Sequence, residues 1–192
     1  MKEKVWQIIE KIIEKAALRK KKNDWNFLVS KPNVNIHDSF NSFYNNNIFL
    51  LDDSAKITIK EGVNTRKYCE FLVWNEAELI ISKNVFFNNS CSINCLEKIE
   101  IGEDTLFGEN VKLYDHNHLI SKTEKISISK DQFSTAPIKI GKNCWIASNV
   151  TILKGVTIGN NVVIGAGCLI HKSIPSNTIV KNIQNLQLET NK

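Results

Sequence analysis

The stretch IGKNCWIASNVTILKGVTIGNNVVIGAGCLIHKSI, residues 140–174, decides the fold. It sets isoleucine at Ile140, Ile146, Ile152, Ile158, Ile164 and Ile170, six residues apart without an error. Four residues after each stands another apolar or small side chain: Cys144, Val150, Val156, Val162, Cys168 and Ile174. An α-helix repeats every 3.6 residues and a strand every 2, so neither gives a strict period of six. A hexapeptide period marks a parallel β-helix, in which one hexad makes a flat side and a corner and three hexads make a triangular coil. Each isoleucine then points into the prism, and the residue four later faces inward near a corner where only modest volume fits. This gives Cys144 and Cys168 roles as core fillers. Gly141, Gly155, Gly159 and Gly165, with Asn149, Asn160 and Asn161, supply the corners, because Gly and Asn tolerate unusual backbone angles.

The period extends upstream through Ile81, Phe87 and Ile93, slips by two residues, and resumes at Ile101, Phe107, Leu113 and Leu119. Ala55–Lys60 and Cys69–Trp74 read as degenerate coils, so the β-helix is expected over 48–181. Between Leu119 and Ala136 the register breaks in a polar run, read as a loop (119–136) thrown out from one coil. Solenoid ends need covering. Residues 1–47 are assigned to one end, with an amphipathic helix over 4–22 built on Val5, Ile9, Ile12 and Ala16. An irregular connection over 23–47 follows, with one strand near Val34–His37. The tail 182–192 is assigned to the other end.

Composition narrows the classes. The 192 residues suit one domain with a real core, and no apolar run approaches the roughly 20 residues that span a bilayer. Glu3, Glu10 and Glu14 interrupt the first apolar positions, so no signal peptide is read there. The mixed charges of the first helix favour packing on the domain, with peripheral membrane association as the alternative. The net charge of +5 rests on 23 Lys and two Arg, a poor inventory for base or phosphate reading, so no nucleic-acid partner is expected. Five Cys without CxxC pairs fit a reducing, cytoplasmic setting.

The segments Ile140–Val150, Gly155–Gly159 and Ile164–Gly167 resemble the hexapeptide-repeat acyltransferases, all-β proteins built on a left-handed parallel β-helix. The stretch is similar to the galactoside and maltose O-acetyltransferases and to those that modify bacterial surface polysaccharides. The resemblance covers roughly residues 78–180. It implies a homotrimer, acetyl-CoA as co-substrate, a sugar or polysaccharide acceptor, and an active site between neighbouring prisms.

Acetyl transfer from a thioester to a hydroxyl needs a base near neutrality, donors for the oxyanion and a groove for both reactants. Histidine suits the first task. His116 and His118 stand in Leu113-Tyr-Asp115-His116-Asn117-His118, where the loop departs. In the sugar O-acetyltransferases the catalytic His ends this hexad, which implies His118 as general base and leaves His116 as the alternative. The same gapless register sets Asn88 on the family's acceptor-binding Asn. Asp115 either orients an imidazole or forms the corner turn. Resemblance further sets coenzyme A along coils 140–180, with Ser148 and Ala166 at backbone contacts and Trp145 walling the groove. Lys172 is a candidate for a phosphate. The His116–His118 pair lacks a third histidine near it, so no metal is expected.

The chain departs from the family after the last strand. An Ala-Gly-x-Pro turn with basic residues is replaced by Val180-Lys181-Asn182-Ile183-Gln184-Asn185, leaving Lys181 as substitute at the nucleotide end. The expectation is an O-acetyltransferase acting on a surface glycan or its precursor. Its rivals are an N-acetyltransferase of an amino-sugar nucleotide and a non-catalytic β-helix scaffold.

Overall fold

The computed structural model describes residues 22–42, 46–122 and 126–183. It is a three-faced parallel β-solenoid of six coils. Face A stacks Val34–Ile36, Lys56–Ile59, Glu78–Ile81, Lys98–Ile101, Ile138–Ile140 and Thr157–Ile158. Face B stacks Asn41–Ser42, Asn64–Thr65, Phe86–Phe87, Leu106–Phe107, Trp145–Ile146, Val163–Ile164 and Ile179–Val180. Face C stacks Asn47–Leu50, Glu70–Val73, Ser92–Cys95, Lys112–Tyr114, Thr151–Leu153 and Leu169–Ile170.

Coil length explains why the period is clean in one half of the chain and blurred in the other. Val34 pairs with Ile57, Ile57 with Leu79, Leu79 with Ile99, Ile101 with Ile140 and Ile140 with Ile158, so successive coils take 23, 22 and 20 residues, then 39 where the hairpin is inserted, then 18. Only an 18-residue coil is three bare hexads. The longer coils carry extra residues at their corners, and the apolar spacing lapses there. Parallel pairing with the second coil already begins at Val34, upstream of the expected start at residue 48 and in the strand expected near Val34–His37. Residues 22–29 are helical, whereas an irregular connection was expected there. The helix expected over 4–22 lies, apart from its last residue, outside the described residues, as does the tail beyond 183.

The prism is filled as expected. Ile140, Ile146, Ile152, Ile158 and Ile164 are buried, as are Cys144, Val150, Val156 and Val162. Lower down, Phe71, Phe87 and Phe107 fill the wider coils, and Phe87 stacks on Phe107 with ring centroids 4.6 Å apart. At about 25 cal/mol per Å2 of apolar area, this column is the main stabilising term.

Corners solve a backbone problem in two ways. At most corners above the first coil one residue takes the left-handed conformation, among them Asn149 (φ 61), Asn161 (φ 56) and Gly155 (φ 75). Gly141 has a different reason to be glycine: a Cβ there would sit 2.5 Å from the carbonyl oxygen of Gly159 in the next coil. On the AB edge, asparagines link coils directly, Asn143 Nδ2 donating to Asn161 Oδ1 and Asn161 Nδ2 to Asn177 Oδ1, each at 3.0 Å.

The expected loop 119–136 is a two-stranded antiparallel hairpin, His116–Lys122 paired with Ile126–Thr135, with a bulge between His118 and Ile120. It leaves the CA edge after Lys112–Tyr114 and returns to face A at Ile138. Polar residues with β-branched Ile and Thr among them satisfy an exposed two-stranded ribbon, whose edges need no apolar face.

Candidate active site

Asp115 ends the face C strand and is fully buried. Its carboxylate accepts the backbone N–H groups of Leu96 (2.8 Å), Glu97 (2.8 Å) and Lys98 (3.0 Å). Those three residues turn the corner of the coil below, where the sequence period slips by two. Of the two roles left open, the carboxylate performs the corner one: it ties the hairpin's root to the coil beneath. His116 Nδ1 lies 3.4 Å from Asp115 Oδ1, a long contact beside three good ones. The His116 side chain is only 16% exposed, edge-on to Tyr114 and to Phe133.

His118 is different. It is exposed, its ring lies 4.7 Å from that of Phe133, and its Nδ1 is 3.0 Å from the carbonyl oxygen of Ser129 across the hairpin. A carbonyl only accepts, so the neutral ring carries its hydrogen on Nδ1 and keeps the Nε2 lone pair. Phe133 in turn meets Trp74 edge-on at 5.4 Å. Lys154 anchors the returning strand, donating to Ser134 Oγ at 2.8 Å and Ser134 O at 3.2 Å. Ser129, Phe133, Trp74 and Lys154 were not singled out from sequence. Their partners are set by a hairpin that the polar run 119–136 does not advertise.

The BC edge carries the other candidates. Asn88, Gly108, Ala147 and Gly165 follow strands held in register through Phe87, Phe107, Ile146 and Ile164. Asn88, Ser148 and Ala166 therefore stack along one edge. Asn88 is half-buried and its Oδ1 accepts the Asn89 N–H at 2.9 Å. In the lower coils the amide at this turn is always taken. Lys67 N donates to Asn89 Oδ1, Asn89 N to Asn88 Oδ1, and Glu109 N to Ser148 Oγ. In the two upper coils the flanking amides are used: Ala147 N and Gly165 N reach the coil above, Asn149 N and Gly167 N the coil below. The Ser148 and Ala166 amides between them donate to no group among the described residues. Two unspent N–H donors thus sit one above the other, about 4.8 Å apart.

Trp145 is 53% exposed on face B, in one outward row with Phe86, Leu106, Val163 and Ile179. Lys172 is exposed and follows Ile170, so it lies at the CA edge, apart from Ser148 and Ala166. Lys181 is exposed just after the last face B strand. His118 stands at the CA edge, and Asn88, Ser148 and Ala166 stand at the BC edge. Face C separates them, by about 15 Å at 3.3 Å per strand residue. One chain does not bring the imidazole and the amides together.

The five cysteines are free and buried. Burial, with the Asp115 carboxylate nearby, pushes the Cys95 thiol well above its ordinary range. Hydrogen bonding to Cys69 and burial do the same for Cys91. No group of His, Cys, Asp and Glu able to hold a metal occurs among the described residues. Among them, too, no helix is long and apolar enough to cross a membrane.

Comparison with known proteins agrees with the fold. Residues 137–172 match the bacterial transferase hexapeptide (six repeats) family. WbbJ of Escherichia coli K12, assigned as a lipopolysaccharide biosynthesis O-acetyl transferase, is 34% identical over 111 residues, 55% of this chain and 57% of that protein. The galactoside O-acetyltransferase of Escherichia coli K12 is 35% identical over 103 residues, 54% of this chain and 49% of the enzyme. Among solved structures, the N-acyltransferase AntD from Bacillus cereus has a TM-score of 0.54 over 83% of each chain, at 15% identity, a likeness of fold alone. The chain resembles the hexapeptide-repeat acyltransferases, and it spans about half the length of the curated relatives it matches.

Proposed function

We propose that this protein is an acetyl-CoA-dependent O-acetyltransferase whose acceptor is a sugar hydroxyl of a bacterial surface glycan or its precursor. The observation that carries the reading is the pairing of a fixed imidazole with unspent amides: His118 held through Nδ1, and the free N–H groups of Ser148 and Ala166. His118 Nε2 takes the proton of the acceptor hydroxyl, and its oxygen attacks the thioester carbonyl carbon. A tetrahedral oxyanion forms and is stabilised by backbone donors of the BC edge. Collapse breaks the C–S bond, and the coenzyme A thiolate leaves with the proton returned from the imidazolium. Asn88 holds the acceptor, and Trp145 walls the thioester groove. Lys181 lies toward the nucleotide end. His116, enclosed by aromatic rings and against Asp115, supports the hairpin. No acyl-enzyme is required, which suits the burial of every cysteine.

Because the two half-sites lie on different edges, the active unit is a homotrimer with each site shared by two copies. The faces support such packing. Face A is lined outward by Lys56, Glu78, Lys98, Glu100 and Lys139, whereas face B carries the apolar row of Phe86, Leu106, Trp145, Val163 and Ile179. An apolar row of this length is what an interface buries. The five free thiols favour a reducing, cytoplasmic compartment.

The test is mass spectrometry of acetyl transfer from acetyl-CoA across a panel of bacterial surface glycans and amino sugars. Products acetylated on oxygen are expected. His118→Ala abolishes turnover and leaves acetyl-CoA binding by calorimetry unchanged, while His116→Ala retains turnover. Transfer to amines alone, or the reverse outcome for the two histidines, overturns the reading.

A further inference from the structure

The geometry points to an oligosaccharide-binding groove along the BC edge, running from Ser148 down to Tyr68. It holds further sugar units of a chain-like acceptor beyond the unit being acetylated, and it rests on the O-acetyltransferase reading above. The groove has a volume of about 510 Å3 and is lined by Lys67, Tyr68, Asn89, Asn110, Ser148 and Asn149, with Ser90 and Glu109 between them. Its residues come from the corners of four successive coils. At about 4.8 Å per coil it is some 14 Å long, more than a single sugar ring needs. Asn88 adjoins it within the same corner as Asn89, and Ser148, with its unspent amide, forms its upper end. An acceptor held at Asn88 therefore continues into this groove if it is a polymer.

Tyr68 is the residue that does not fit the structural rule of this edge. The left-handed corner position is filled by Ser90, Asn110, Asn149 and Gly167 in the coils above, small residues or ones whose side chain suits that conformation. In the same slot Tyr68 has φ 61, and a bulky aromatic side chain is disfavoured there. Nothing inside the fold repays it: the residue is 60% exposed and its hydroxyl makes no hydrogen bond among the described residues. Breaks in local consistency collect at functional sites. What the substitution supplies is a flat ring with a polar tip at the rim of a polar groove, the combination that meets the C–H face and the hydroxyls of a sugar.

The rest of the lining is preorganised. Asn89 Nδ2 donates to Glu109 Oε1 at 2.9 Å, Asn110 Nδ2 to Asn149 Oδ1 at 2.9 Å, and Glu109 N to Ser148 Oγ at 3.1 Å. These bonds fix the amide groups in place before a ligand arrives. The Lys67 ammonium has no ion-pair partner among the described residues and lines the same groove as Tyr68, a donor for hydroxyl or carboxylate oxygens of a glycan.

The decisive variant is Tyr68→Asn, which gives the corner the residue its backbone favours, so a loss of function cannot be ascribed to misfolding. The probe is an array of bacterial capsular polysaccharides and lipopolysaccharide O-chains, read both for bound labelled protein and for acetyl transfer. For a glycan that the wild-type chain acetylates, the polymer and its monosaccharide are compared as acceptors. Tyr68→Asn is expected to raise KM for the polymer about tenfold, with KM for the monosaccharide and for acetyl-CoA unchanged and Tm equal or higher. Equal effects on polymer and monosaccharide, or none on either, overturn the groove while leaving the acetyltransferase intact. If the protein binds array glycans without acetylating any, the catalytic reading fails. The groove then stands only if Tyr68→Asn abolishes that binding, and it falls if no glycan binds.

Discussion

Two inactive variants should restore each other. His118→Ala removes the imidazole at the CA edge and leaves the BC edge whole. Ala166→Pro removes one of the two unspent amides and leaves the imidazole whole. Proline is tolerated ahead of a left-handed turn residue, here Gly167 at φ 72, and the lost N–H had no partner in the fold, so the variant should melt close to wild type. Loss of one oxyanion donor lowers kcat by about 10²–10³. Now let both variants be co-expressed under different tags and assemble at random. Each shared site draws its imidazole from one copy and its amides from the neighbour, so in a cyclic trimer that holds both variants about one site in three has both halves intact. Mixed trimers should therefore recover about a third of wild-type turnover, against about a hundredth or less for either variant alone. The assay is thiol release from acetyl-CoA with an acceptor glycan from the panel, on doubly tagged assemblies whose composition is checked by native mass spectrometry. If mixed assemblies form and stay at the residual rate, the imidazole and the amides of one chain must serve the same site, and the argument from separate edges is refuted.

Three further outcomes follow from side-chain surroundings. Asp115→Asn replaces a buried acceptor of three backbone N–H groups by a group with half its acceptor capacity; it should destabilise the fold by about 3 kcal/mol in urea denaturation, where a purely catalytic residue would leave the midpoint unchanged. Phe133→Ala removes the ring packed on His118; kcat should fall about tenfold with acetyl-CoA affinity preserved, since the ring holds the base and lies on the opposite edge from the donor amides. Iodoacetamide at pH 8 reacts with thiolate; with their thiols pushed up by burial and hydrogen bonding, Cys91 and Cys95 should stay unmodified in the native protein and react fully in denaturant, as peptide mass mapping reads out.

The legible part of this fold was the part with no spare residues. From Ile140 to Ile170 the coils are three hexads long, so every sixth residue must fill the prism and the pattern is unbroken; the final step, Ile164 to Val180, shortens to 16 residues. The first coils take 23 and 22 residues, and their extra corner residues answer to turn geometry and not to the core; the solenoid's first coil at Val34 was hidden for that reason. The two-residue slip after Ile93 was visible, yet its purpose was not, because the group that closes that corner is Asp115, some 18 residues on. The hairpin was equally hidden. A two-stranded ribbon in solvent has no buried face, so it imposes no alternation, and Ile128 and Phe133 gave no period to follow. His118, Asn88 and Ser148 are candidates drawn from resemblance and register, whereas Ser129, Phe133 and Lys154 make contacts that only the hairpin's pairing creates.

The upper coils differ from the lower ones in their turn amides as well as in their length. A parallel coil spends its backbone donors on the coil above or below, so an N–H that is both exposed and unpaired must come from a turn residue whose neighbours are fully used. The lower coils spend even these turn amides on Asn88, Asn89 and Ser148 side-chain oxygens. Ser148 has Ala147 before it and Ala166 in the coil above, neither with a side-chain oxygen, and Ala166 follows Gly165, so Ser148 N and Ala166 N are left free. Substituting Asn for Ala147 would thus return an oxygen to the turn, tie up the Ser148 amide and slow acetyl transfer without loss of stability. A variant Ala147→Asn that melts no lower than wild type yet keeps full kcat would mean that the Ser148 amide takes no part in the reaction.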